Sequence, residues 1–128
     1  FMYDINKEKE EKYIDSFVYR SKNEANQLLK LEIYRSTEGG FSCMFFITTK
    51  RKNGYQYKKQ TGKDGLKSLM WAKNCLLDFL EYAKDRYRGD VIKIFADDKR
   101  RWRTYWRSLK PLGFYVEETK HLPICKKI

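Results

Sequence analysis

Histidine is almost missing from this chain: His121 is the only one in 128 residues. That excludes a multi-histidine metal centre, and any Ser-His-Asp or Cys-His nucleophile would have to work through this single ring. No Ser or Cys stands in a strand-to-helix nucleophile turn, so His121 reads as a surface residue near the C-terminal end. Cysteine is sparse as well. Cys43, Cys75 and Cys125 are odd in number, far apart and in no CxxC pair. The pattern argues against a disulfide frame or a zinc site, and it points to reduced, buried thiols in a cytoplasmic setting. Long apolar runs are missing too. The longest, Phe41 to Ile47, has strand length and falls far short of the roughly 20 residues that span a membrane. The opening residues lack the basic-then-apolar pattern of a secretory leader.

What is present is a core. Hydrophobic residues make up 41% of the chain and aromatics 16%, while the 35% of charged residues are mixed in sign. A chain of this size is expected to form a single domain over residues 1–128, of α+β class, around one hydrophobic core. The net charge of +11 and a pI near 9.6 favour acidic partners: DNA, RNA, a phosphate-rich cofactor or an acidic protein. A coding bias toward Lys, Asn and Tyr would raise the charge too.

Periodicity divides the chain into two halves. Residues 1–12 are almost wholly charged from Asp4 onward, and they read as an exposed N-terminal arm or a solvated helical turn. Tyr13 to Tyr19 alternates as a strand, with Tyr13, Asp15, Phe17 and Tyr19 on one side and Ile14 and Val18 on the other. Leu28 to Arg35 makes a second strand, and the Gly39-Gly40 pair a turn. Phe41 to Thr49 reads as a strand buried on both faces. Lys52-Asn53-Gly54 marks a tight hairpin into a fourth strand that runs to about Gln60. The period then becomes helical. Leu66, Leu69, Met70, Lys73, Leu76, Leu77, Leu80 and Ala83 predict a helix from about Asp64 to Tyr87. Val91 to Ala96 is a short strand, and Asp97 or Asp98 can cap the next helix. That helix carries a core stripe of Trp102, Tyr105, Trp106 and Leu109 and is stopped by Pro111 and Gly113. Phe114 to Glu118 and Leu122 to Lys127 complete the chain as strands. The order is an antiparallel meander, a long helix, a strand, a basic helix and C-terminal strands. A helix between the fourth and fifth strands suits a crossover to a parallel neighbour.

Two segments of this order carry a resemblance. Gln60-Thr61-Gly62-Lys63-Asp64-Gly65 joins the meander to the long helix. Ile94-Phe95-Ala96-Asp97-Asp98-Lys99-Arg100 is followed by Tyr105 and by Leu112-Gly113-Phe114. With the element order, these resemble the GNAT superfamily of N-acetyltransferases over roughly Leu29 to Ile128. The resemblance implies an acetyl-CoA or other acyl-CoA ligand, its pyrophosphate received by Gln60, Thr61, Gly62, Lys63, Asp64 and Gly65. Backbone N–H groups at a helix start suit such an anion, and Lys58, Lys59 and Lys63 add charge. It also implies Tyr105 as the general acid toward the departing thiolate. Glu32, Asp97 and Glu117 are the candidate bases for an amine acceptor. The match departs from the family pattern in the absence of the N-terminal helices that often shape the acceptor site, and at two residue positions. Lys63 stands where a loop glycine is expected, and Leu109 occupies the usual tyrosine position, one turn beyond Tyr105.

A different reading of the same charge is a non-enzymatic surface for DNA, RNA or an acidic protein. Lys99, Arg100, Arg101, Arg103, Arg107 and Lys110 crowd one helix, and guanidinium groups bind phosphates bidentately. Lys50, Arg51, Lys52, Tyr55, Tyr57, Lys58 and Lys59 place aromatics among cations on a hairpin, where tyrosines can stack on bases. The residues match no RRM, KH, zinc-finger or helix-turn-helix signature.

Overall fold

The computed structural model describes the backbone of residues 4–10, 13–51, 54–57 and 62–128, and the side chains of 15–48 and 65–128. The architecture is α+β. Strands β1 (Asp4–Glu10), β2 (Tyr13–Lys22), β3 (Leu28–Ser36), β4 (Phe41–Arg51) and β5 (Gly54–Tyr57) precede helix α1 (Gly62–Arg86). Strand β6 (Val91–Phe95), helix α2 (Lys99–Leu109), a 3-10 turn at Lys110–Leu112, β7 (Tyr115–Val116) and β8 (Ile124–Lys127) follow. The eight strands form one mixed sheet in the order β1-β2-β3-β4-β6-β8-β7, with β5 paired to β4 off that path.

The charged segment that reads as an arm is an edge strand. Asp4 to Glu10 pairs antiparallel with β2, Asp4 opposite Arg20 and Glu10 opposite Tyr13. Charged residues suit that position, since they protect an open edge from pairing with another chain.

The parallel partner of β6 is not the fourth strand of the expected meander. It is Phe41–Arg51, one strand earlier, in register from Phe41↔Ile92 to Met44↔Phe95. The short β5 folds back on the far part of the same β4 edge, from Thr48↔Tyr57 to Arg51↔Gly54. The first part of that edge is therefore left for β6.

Strand β4 alternates. Phe41, Cys43, Phe45 and Ile47 are buried, while Met44 is 36% exposed and Ser42, Phe46 and Thr48 are half-buried. The expectation of burial on both faces fails because both helices lie on one face of the sheet. Leu31, Cys43, Phe45 and Ile94 meet Leu69, Ala72 and Leu76 of α1 and Tyr105 and Leu109 of α2. Those sheet residues share one face by register. Among the described residues no helix covers the other face.

Helix α1 buries Leu69, Ala72, Cys75, Leu76, Phe79 and Ala83, together with Ser68 and Trp71. The predicted stripe is thus only partly the core stripe. Leu66, Met70 and Leu77 stay exposed at 62%, 57% and 37%, because Trp71, Cys75 and Phe79 claim the face toward the sheet. The helix runs opposite to β4. Trp71 lies against Phe45, with ring centroids 6.0 Å apart, and Phe79 and Tyr87 pack on Phe41 at 5.2 and 5.0 Å. Ser68 accepts a hydrogen bond from Asn23 Nδ2 at 3.2 Å, tying the start of α1 to the β2–β3 turn.

Helix α2 is capped by Asp98, whose Oδ1 accepts from the Arg101 N–H at 2.7 Å. It ends through Pro111 and Gly113, the latter at φ +87°, a conformation that glycine adopts without a Cβ clash. The C-terminal strands are shorter than their sequence pattern. The last, β8, is inserted between β6 and β7.

Candidate active-site crevice

Pairing of β4 with β6 stops at Met44↔Phe95, but β4 continues to Arg51 while β6 ends at Phe95. The two parallel strands separate at their carboxyl ends, where neither can satisfy the other. In open α/β sheets such a point, outside the carboxyl ends of parallel strands, is where ligands settle. Here it holds a crevice of about 190 Å³, lined by Met44, Phe45, Phe46, Phe95, Ala96, Asp97 and Tyr105. Met44 and Phe46 come from the uncovered face, whereas Phe45 and Tyr105 come from the helix side. The crevice is therefore lined by residues from both faces of the sheet.

Tyr105 is the candidate general acid that the structure does bring to this place. It is 4% exposed and sits between the crevice and the interior packing of α1 on α2. Burial pushes its phenol well above the ordinary tyrosine range; Arg101 acts against that rise and Asp97 adds to it. The side chain thus keeps its proton at neutral pH.

The three candidate bases separate cleanly. Asp97 lines the crevice and accepts from Arg101 Nη1 through both oxygens at 3.2 Å. Glu32 lies one strand away, opposite Met44 across β3 and β4. Its carboxylate pairs with Lys30 at 2.5 Å and accepts from the Tyr34 hydroxyl. Glu117 lies beyond β6, ion-paired to Lys93 at 2.9 Å and accepting from Cys125 Sγ at 3.7 Å.

Gly62, Lys63, Asp64 and Gly65 form the first turn of α1, so the helix begins two residues before the expected Asp64. This start is at the same end of the sheet as the crevice, because Ser68 and Trp71 already sit beside the β2–β3 turn and Phe45. Gln60 and Thr61 lie outside the described residues, as do the side chains of Lys63 and Asp64. The β5 hairpin intervenes between β4 and this turn.

The basic surface is placed only in part. Lys52, Lys58 and Lys59 lie outside the described residues, and of Lys50, Arg51, Tyr55 and Tyr57 only the backbone is described. Lys99, Arg100, Arg103 and Arg107 of α2 and Lys110 of the 3-10 turn are exposed. Among the described residues none of them has a carboxylate within ion-pair distance. Arg101 does not belong with them. It is 7% exposed and bound to Asp97, since its place one turn before Tyr105 turns it toward the sheet.

The sequence reading missed the crevice walls Met44, Phe45, Phe46, Phe95 and Ala96. They look like ordinary strand residues, and only the premature end of β6 exposes them. Among the described residues there is no group of three or more His, Cys, Asp or Glu side chains able to hold a metal ion, and no helix is long and apolar enough to cross a membrane. No protein-family model matches the chain, nor does any curated protein or solved structure.

Proposed function

We propose that this chain binds an acyl-CoA with its thioester end in the β4–β6 crevice and passes the acyl group to an amine. The observation that carries the reading is the separation of the two parallel strands beyond Met44↔Phe95, with Tyr105 at its wall. The crevice suits the ligand in size and chemistry. About 190 Å³ has room for an acetyl or short acyl end and its thioester, but not for the whole nucleotide. Its apolar lining from Met44, Phe45, Phe46, Phe95 and Ala96 favours an uncharged acyl chain. The start of α1 at the same end offers backbone N–H groups to the pyrophosphate.

The bound cofactor would supply an activated acyl carbon and a thiolate leaving group. This chain's residues handle the protons. Tyr105, at the crevice wall, donates its phenolic proton to the departing sulfur. Asp97, the carboxylate that lines the crevice, takes the proton that the amine must lose. The uncovered sheet face, with Glu32 beside Met44, leaves the acceptor a broad approach.

The test is isothermal titration with acetyl-CoA and desulfo-CoA, on the native chain and on Ala96→Trp. Both ligands are expected to bind the native chain. The indole placed in the crevice should weaken acetyl-CoA at least tenfold while the Tm stays within a few degrees. Equal affinity in the folded variant would remove the thioester end from this crevice.

A further inference from the structure

Helix α1 carries a second apolar stripe that the core does not use. Leu66, Met70 and Leu77 recur at i, i+4 and i+11 and are 62%, 57% and 37% exposed, a stretch of about 16 Å along the axis. Toward α2 the stripe opens into a groove of about 280 Å³. Leu66, Leu69 and Met70 supply its apolar wall, and Lys73, Thr104 and Arg107 its polar rim. Arg107 also belongs to the exposed ridge with Arg100 and Arg103. The groove and the ridge are therefore one continuous surface, apolar on one side and strongly cationic on the other.

We infer that this surface is a docking site for an acidic amphipathic helix from another protein, independent of the acyl-CoA reading. Two observations select that occupant. A nucleic acid would satisfy the arginines but would leave the exposed leucines and Met70 with no apolar counterpart, because a phosphate backbone buries none. A second copy of this chain would cover the stripe but bring two cationic ridges together, each on a molecule of net charge +11. Such like-charge approach is costly at close range. A helix with apolar residues at i, i+3, i+4 and i+7 and carboxylates on its flank meets both requirements. The apolar side chains enter the groove while the acids face Arg103 and Arg107.

The experiment is a selection from a display library of random 16-residue peptides on the immobilised full chain, followed by fluorescence anisotropy of the enriched peptides. Enriched sequences are expected to combine helical apolar spacing with Asp or Glu. Their affinity should fall at least tenfold with Met70→Glu and, separately, with Arg103→Ala plus Arg107→Ala. Both variants are exposed substitutions and should keep acetyl-CoA binding and Tm. Three results would overturn the inference. One is the failure of any peptide to enrich. Another is enrichment indifferent to Met70→Glu, with a 20-nucleotide DNA bound as tightly, which would make the ridge a nucleic-acid surface. The third is a dimer in sedimentation that Met70→Glu dissolves, which would make the stripe a self-interface.

Discussion

The two ends of the β4–β6 pair are built on opposite terms. At the Phe41 end everything is closed. Phe17, Phe41 and Phe79 meet edge to face at centroid distances of 5.2 to 6.4 Å. Arg35 lies over Tyr87 at 4.5 Å and over Phe41 at 5.4 Å while pairing with Asp90 at 2.6 Å. Ile128 is stitched in as well, Gly89 donating to its carbonyl and Ile128 donating to that of Asp90. At the Phe95 end the strands part, a tyrosine lines the gap, and aromatic side chains reach half into solvent. Rigid packing at one end makes an opening at the other affordable, since the strands are held in register before they separate. The stable packing and the candidate site thus occupy different ends of the same two strands.

The largest expected effect is at the closed end. Phe79→Ala removes a ring that is 1% exposed and should cost about 3–5 kcal/mol, read from chemical denaturation. A loss below about 1 kcal/mol would mean that the closed end does not anchor the fold. Next comes the open end. Tyr105→Phe should lower acyl transfer about a hundredfold at unchanged acetyl-CoA affinity, yet shift stability by less than about 1 kcal/mol. Matching losses of stability and turnover would make Tyr105 a core residue only. Arg35→Ala, which breaks one ion pair and two cation–ring contacts at the closed end, should cost about 1–2 kcal/mol and leave acetyl-CoA binding intact.

The smallest effect is a pH dependence of the packed interior. Burial raises Tyr19, Cys43 and Cys75 above their ordinary ranges, and the hydrogen bond to Asp78 raises Tyr19 further. For groups raised in the folded state, the stabilisation is complete below the unfolded pKa and is lost as pH climbs past it. Tm should therefore stay level from about pH 6 to 8 and fall above about pH 9, where unfolded thiols and then phenols ionise. A rising Tm in that range would contradict the buried, protonated state of these groups.

Much of this arrangement is legible in the residues. Alternation in Phe17, Tyr19 and the Leu29-Leu31-Ile33 run, the glycine pair at Gly39-Gly40 and the Asp98 cap each act locally, so sequence spacing reveals them. The phase of α1 is not legible in the same way. Leucine count favours the stripe through Leu66 and Leu77, but the larger Trp71 and Phe79 win the sheet. Nor does spacing reveal that β6 pairs with Phe41–Met44, because β5 competes for the same edge and only the three-dimensional register divides it. The crevice follows from that division and so stays hidden. Tyr105 stands out in the sequence as a tyrosine on the core stripe of α2, whereas Phe46 and Ala96 carry no chemical signal of their own. Arg101 was misplaced because a guanidinium is counted as surface charge until its position one turn before Tyr105 is weighed.

The most direct test of the central claim is a ¹⁵N–¹H shift map of the labelled chain titrated with acetyl-CoA. Saturable changes concentrated at Met44 to Phe46, Phe95 to Asp97 and Tyr105, and at the first turn of α1, are the predicted result. Changes confined to Lys99, Arg100, Arg103 and Arg107, or no change at millimolar ligand, would contradict an acyl-CoA site between the separated strands.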